Sequence, residues 1–202
     1  MAGDCRGRIK VSIVTAVYNR VRYIHDALAS VAIQSWPCIE HIVVDGGSTD
    51  GTLEVLRACD SIDRLIIGPD NGIYDALNKG VDHASGDIVG ILHSDDVFFG
   101  DKVIEKVVDV FSQTEVGGVY GDLVYTNKTM DRIVRRWKSG EYRRSRLAWG
   151  WMPPHPTLFL RRSVIERWGG YDTRYRIGGD YDAMLRYLAR GGCGWRICRR
   201  CW

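Results

Sequence analysis

The sequence predicts an α/β fold, a mostly parallel central sheet with helices on both faces, and three observations predict it. The chain has 202 residues and 22.9 kDa, a length that suits one large domain with its own core. Short β-rich apolar runs alternate with stretches of helical periodicity through its first half, the β-α-β-α order that gives parallel strands with helical crossovers. Polar, Gly-, Ser- and Asp-rich clusters follow the apolar runs, where an open parallel sheet binds ligands.

Each element has its own signal. KVSIVTAV (10–17) is the first strand. A helix follows with Ile24, Leu28 and Val31 on one face. IEHIVVD (39–45) is the second strand, a Gly/Ser/Thr turn leads into the helical TLEVLRAC, and RLIIG (64–68) is the third strand. GIYDALNKGVDHA (72–84) is a helix with Ile73, Leu77 and Val81 together, and DIVGILH (87–93) is the fourth strand. A helix bearing Val103, Val107, Val110 and Phe111 closes this half. Beyond Val116 the short β-like pieces GGVYGDLVYT and RIVRRW predict an antiparallel or mixed extension. The basic, aromatic stretch 138–156 reads as a loop, PTLFLRR as a strand, RSVIERW as a short helix and DYDAMLRYLAR as a closing helix. We expect a disordered tail over 1–8, one domain over 9–192 and a ragged tail over 193–202. Within the domain, 9–96 is the ligand-binding half and 97–192 the other.

Hydrophobic content of 45% and charged content of 26% exclude disordered, collagenous and coiled-coil classes. No apolar run reaches the ~18–20 residues of a membrane span, and residues 1–10 carry no apolar signal region, so a cytoplasmic location is expected. The net charge of +3 hides a division. Up to Asn127 there are 10 Lys/Arg against 19 Asp/Glu, and from Lys128 onward 18 against 6. Such a split suits different partners for the two halves: a cation for the acidic one, and phosphates or an anionic surface for the basic one. Cys5, Cys38 and Cys59 are isolated in sequence and read as reduced thiols. Cys193, Cys198 and Cys201 lack a fourth ligand nearby for zinc.

Strand one ends in Tyr18-Asn19, strand two in Asp45-Gly46-Gly47-Ser48-Thr49-Asp50-Gly51, and strand four in His93-Ser94-Asp95-Asp96. No Gly-Lys-Ser/Thr loop and no G-x-G-x-x-G turn is present, which disfavours NTP hydrolysis and dinucleotide chemistry. Adjacent Asp95 and Asp96 repel unless a cation joins them, and hard Mg²⁺ or Mn²⁺ takes such oxygens while bridging to phosphates. The alternative is Asp96 as a plain helix N-cap.

The runs VSIVTAVYNR, IVVDGGSTDGT, GPDNGIYDALNKG and GDIVGILHSDD, followed by MPPHPTLFLRR and GGYDTRYRIGGDYDAMLR, resemble bacterial family 2 glycosyltransferases of the GT-A fold. The likeness spans about residues 9–190 and is nearest to the subgroup that builds exopolysaccharide or cell-envelope glycans. It implies an inverting transfer of sugar from a nucleoside-diphosphate donor to the hydroxyl of a glycan or polyprenyl-diphosphate-linked acceptor. Tyr18, Asn19, Asp45 and Asp50 then line the nucleoside site, with Thr15, Gly47, Ser48, Asn78, Lys79, Asp95 and His155 as further substrate-binding candidates. Asp96, helped by Asp95, holds Mg²⁺ or Mn²⁺, with His93 a further candidate ligand. Asp180 stands at the position of the catalytic base, with Asp182 as alternate.

Several positions depart from the family pattern. Gly46 stands where a second acid is frequent, His93 where the first acid of an Asp-x-Asp pattern stands, Leu77 where an Arg is frequent, and Gly179 where a Glu precedes the base. Lys79 can replace the missing cation. Asp180 opens a helical pattern, where Asp also serves as a cap. The likeness further implies a chain shortened after the Asp180 helix, so the competing function is a truncated, non-catalytic nucleotide-sugar binder.

The stretch 132–146 carries six Arg and one Lys among Trp137 and Tyr142. It suits peripheral contact with an anionic membrane, at the inner face of the plasma membrane. A solvated loop is the plainer alternative. Nucleic acid would use the same residues, but the acidic first half argues against it and no nucleic-acid partner is expected.

Overall fold

A computed structural model describes residues 5–190 and 194–198. The first half alternates as its periodicity predicts: β1 (Val11–Val17), α1 (Ile24–Ala32), β2 (Ile39–Asp45), α2 (Thr52–Arg57), β3 (Arg64–Ile67), α3 (Ile73–Asp82), β4 (Ile88–Ile91) and α4 (Val103–Gln113). The second half contains β5 (Val116–Tyr120), β6 (Leu123–Thr126), β7 (Ile133–Trp137), α5 (Arg144–Leu147), β8 (Phe159–Arg161), α6 (Arg162–Trp168), α7 (Gly179–Arg190) and β9 (Gly194–Ile197). No helix among the described residues is long and apolar enough to cross a membrane.

Among the described residues seven strands form one sheet in the order β3-β2-β1-β4-β8-β5-β9. β1 runs parallel to β2 and β4, and β2 parallel to β3. β8 lies antiparallel between β4 and β5. The chain steps outward from β1 to β3, then returns to β4 on the other side of β1. That reversal places the switch point, and so the ligand crevice, at the carboxyl ends of β1 and β4. β6 and β7 form a separate antiparallel hairpin.

The central strands are apolar throughout because both faces are covered. Val11, Ile13, Val17 and Val43 pack with α1, α2 and α4, whereas Val14, Ala16, Ile42 and Val44 pack with α3, α6 and α7. Alternate residues thus feed two cores, and each fully buried side chain contributes about 1.5–3 kcal/mol.

Four expectations are corrected, the reduced state of Cys5 and Cys38 among them. Stretch 138–156 is not wholly loop, since it holds α5 and the start of a 3₁₀ turn at His155–Thr157. The stretch read as a ragged tail contains β9, which pairs in parallel with β5 and lays the Trp195 ring over Gly118. Residues 5–8 are not a loose tail, because Cys5 to Arg8 forms a turn and Cys5 is disulfide-bonded to Cys38. Only Cys59 of the first three cysteines is free. The bonded pair lies 33 positions apart in sequence, so spacing carried no sign of it. Cys193 and Cys201 lie outside the described residues.

Candidate active site

The site is built where β1, β2, β3 and β4 end. Tyr18 follows β1 and is 57% exposed. Asn19 adopts a left-handed backbone (φ 52°), and its amide oxygen accepts the Thr49 N–H at 2.8 Å while its own N–H donates to Ser48 Oγ at 2.8 Å. Asp50 accepts from the N–H groups of Val21 and Thr52, and its hydrogen bonds, the Thr52 hydroxyl foremost, hold it below the usual carboxylate range. Asn19, Ser48 and Asp50 therefore knit the exit of β1 to the loop after β2.

Asp45 is completely buried. Its Oδ1 accepts the N–H groups of Gly47 (2.9 Å) and Ser48 (2.7 Å), an arrangement that needs the positive φ of 91° at Gly47. Its Oδ2 is buried with no hydrogen-bond partner among the described residues. Such an orphan is costly, and it stands at the carboxyl end of β2.

On the other side of the switch point, Asp95 is exposed and Asp96 half-buried. Burial raises the Asp96 carboxyl above its ordinary range, with Asp95 adding repulsion and His93 opposing both. A half-buried carboxylate without an ion-pair partner among the described residues is the donor set a hard divalent cation takes. No three His, Cys, Asp or Glu side chains among the described residues close into a full cage, so a cation here would need oxygens from its substrate. Asp95 and Asp96 also border a cleft of about 600 Å³ walled by Phe98, Leu123 to Lys128 and Pro156.

The acidic end of β4 and the start of α7 meet through two histidines. The rings of His93 and His155 lie 5.7 Å apart. His155 is buried, its Nε2 lies 2.9 Å from the Tyr171 hydroxyl, and its pKa is pushed down to about 4, by burial first and then by His93, against the opposing charge of Asp180. It is neutral at pH 7. Asp180 sits in the first turn of α7, where its Oδ1 accepts the Tyr74 hydroxyl at 3.1 Å. The same hydroxyl accepts the Gly179 N–H at 3.0 Å. Asp182 is different: it pairs with Arg186 at 2.9 Å, and Arg186 also donates to the carbonyls of Trp168, Gly169 and Gly170. Asp182 is thus spent on holding a loop, whereas Asp180 carries no ion pair among the described residues.

Three sequence candidates do not reach the crevice. Thr15 lies inside β1, fully buried against His41 with Oγ1 3.1 Å from Nε2. Asn78 clamps Tyr171, donating to its carbonyl at 2.7 Å and accepting its N–H at 2.8 Å. Lys79 is held by the Pro69 carbonyl at 2.9 Å and by Asp75 at 3.0 Å. Inside β1, Thr15 stops short of the strand end, and both α3 residues are committed to loops.

The glycosyl transferase family 2 model matches residues 12–169. The chain belongs to glycosyltransferase family 2. Over 186 residues it is 34% identical to an uncharacterized glycosyltransferase of Mycobacterium tuberculosis, covering 87% of this chain and 68% of that protein. It is equally similar, over 179 residues with the same coverage, to a PGL/p-HBAD biosynthesis glycosyltransferase of Mycobacterium bovis. Among solved structures it resembles S. aureus TarS at a TM-score of 0.73 and 20% identity, covering 89% of this chain and 33% of that one. It also resembles a mannosyltransferase from Pyrobaculum calidifontis in complex with GDP-Man and Mn²⁺, at 0.71 and 22%, covering 96% and 57%. The fold is the GT-A fold of family 2, and the chain spans only part of these structures' length. Sequence reasoning missed Tyr74 and Tyr171. The GIYDALNKG motif contained Tyr74, but nothing in sequence ties it to Asp180, 106 residues on.

Proposed function

We propose that this chain carries the donor site and catalytic carboxylate of an inverting, divalent-metal-dependent glycosyltransferase. The donor is a nucleoside-diphosphate sugar and the acceptor a hydroxyl of a glycan or polyprenyl-diphosphate-linked glycan. The observation that carries this reading is the run Asp96, His93, His155, Asp180, which leads from the carboxylates at the end of β4 to a carboxylate on α7 that accepts from Tyr74 and has no ion pair among the described residues. Supporting it, the mannosyltransferase neighbour holds GDP-Man and Mn²⁺, and TarS structures hold UDP and UDP-GlcNAc.

In this reading residues 9–96 bind the donor and 97–192 serve the acceptor. Inversion is one in-line displacement. The acceptor oxygen bonds to the anomeric carbon, the bond from that carbon to the diphosphate breaks, and the hydroxyl proton passes to the Asp180 carboxylate. A cation held by Asp96, with Asp95 and His93 beside it, would supply positive charge to the leaving diphosphate. Tyr74 orients the base through its 3.1 Å hydrogen bond, and neutral His155 supports Tyr171, whose ring stacks on Tyr74 at 5.8 Å.

The basic region 132–146 is proposed to rest on the anionic cytoplasmic face of a membrane. Arg135 lies over Tyr125 and Trp137, and nearby Trp149 is 90% exposed, a pairing of cations with interfacial aromatics.

A thermal-shift panel of UDP-, GDP- and dTDP-sugars with and without Mn²⁺ tests the donor reading. A donor at 100-fold over its Kd adds about 2.7 kcal/mol to the folded state, or ~5–10 °C for a chain of this size. No shift with any donor would overturn it.

A further inference from the structure

We infer that Asp70 reads the nucleobase of the donor, and that the base it selects is guanine. The inference deepens the proposed function and rests on it.

Tyr18, Gly46 and Asp70 follow β1, β2 and β3, on the side of the switch point away from Asp95 and Asp96. Strands lie ~4.8 Å apart, so a nucleoside diphosphate whose phosphates reach the end of β4 lays its base across the ends of β1, β2 and β3. Gly46 has no side chain there, and a β-carbon on it would collide with Asp70 Oδ2 and lie 3.4 Å from the Tyr18 ring. The carboxylate of Asp70 therefore occupies space that a side chain at position 46 would fill, beside an exposed aromatic face.

Asp70 is held in place. The Gly72 N–H donates to its Oδ1 at 2.9 Å, the Gly68 N–H donates to the Asp45 carbonyl at 3.0 Å, the Asn71 N–H donates to Asp75 at 2.9 Å, and Lys79 grips the Pro69 carbonyl. Asp70 Oδ2 has no hydrogen bond among the described residues. The Gly46 N–H is also spent, on the Val17 carbonyl at 3.0 Å. The base thus meets a free carboxylate oxygen beside the Gly46, Asn71 and Gly72 N–H groups, which already have partners.

That pattern discriminates between bases. Guanine offers two adjacent donors, N1–H and the N2 amine, which a carboxylate accepts side by side. Uracil and thymine offer one N–H flanked by two carbonyls, so a carboxylate that accepts the N–H sets its second oxygen against a carbonyl oxygen, where guanine offers it a second donor. Adenine and cytosine place a ring acceptor on that edge, against the same negative charge.

Calorimetry of the full chain with GDP, UDP, CDP and ADP, each with Mn²⁺, tests this. GDP should bind at least about tenfold tighter than the others, and Asp70→Asn should weaken GDP by ~10- to 100-fold, as loss of charge-assisted hydrogen bonds does. Asn presents a donor beside an acceptor, which complements the N1–H and O2 of xanthine, so Asp70→Asn should gain affinity for xanthosine diphosphate. A merely structural role for Asp70 would not produce that gain. An unchanged melting temperature confirms that Asp70→Asn is folded. UDP binding as tightly as GDP, or an unaltered ratio of GDP to xanthosine diphosphate in Asp70→Asn, overturns the inference and leaves the donor site standing. Absence of binding by any nucleotide overturns the donor site itself.

Discussion

Replacing Asp180 by Asn removes the proposed proton acceptor and little else. Its structural bond is to the Tyr74 hydroxyl at 3.1 Å, and an Asn carbonyl can accept the same bond. Stability should therefore change by no more than about 0.5 kcal/mol, within ~2 °C for a chain of this length. Turnover should fall by ~10²–10⁴-fold, the usual contribution of a general base. Asp182→Asn should do the reverse. It breaks the 2.9 Å pair with Arg186, both partners being partly exposed, at a cost of about 1–2 kcal/mol, while sparing the chemistry. The assay is steady-state release of nucleoside diphosphate from whichever sugar donor most stabilises the chain, read beside calorimetric melting of each variant. Near-native turnover in Asp180→Asn, with Asp182→Asn inactive at unchanged melting temperature, would refute the assignment and move the base two residues along α7.

Three further outcomes are expected. Neutralising Arg135, Arg136, Arg143 and Arg144 together should reduce partition onto anionic vesicles at low salt by about 1 kcal/mol per residue; unchanged partition would mark the region as solvated loop. Asn78→Ala leaves the Tyr171 N–H and C=O without their amide partner and should cost about 2–3 kcal/mol, read as a lowered urea midpoint; a native midpoint would refute the clamp. Burial holds both His41 and His155 near a pKa of about 4, below the value of 6.5 they regain on unfolding. The unfolded chain therefore binds more protons between those values, so stability is full above pH 6.5 and falls as pH drops toward 4, approaching about 2.7 kcal/mol per pH unit for two histidines. Urea titrations that are flat from pH 7 to 5 would show that the two rings are not buried neutral.

The first half of the fold was legible because each strand and helix there carries its own period and ends in its own polar cluster. The placement of Asp45, Asp95 and Asp96 at strand ends was legible for the same reason, since strand ends are readable and these carboxylates stand in short, ordered motifs. β9 was not legible: four residues near the end of the chain become a strand only because β5 offers a free parallel edge. Asn78 and Lys79 looked like ligands because polar residues within a motif invite that reading, yet their partners are the carbonyls of Tyr171 and Pro69, set by how two loops pack on α3. The contact of Tyr74 with Asp180 and the approach of Asp70 to Gly46 belong to the same class. They depend on tertiary placement across 106 and 24 residues, which no local period encodes.

The central claim, that a nucleoside diphosphate is held across the strand ends with its phosphates on a cation at Asp96, is tested most directly by titrating nucleoside diphosphate into the chain with Mn²⁺ and again with EDTA, for the native sequence and for Asp96→Ala. Asp96 is a half-buried residue at the cleft wall, so the substitution should leave the melting temperature of the free chain nearly unchanged. The account predicts tight binding only for the native chain with Mn²⁺, and weak binding in the other three titrations. Equal affinity in all four would contradict it.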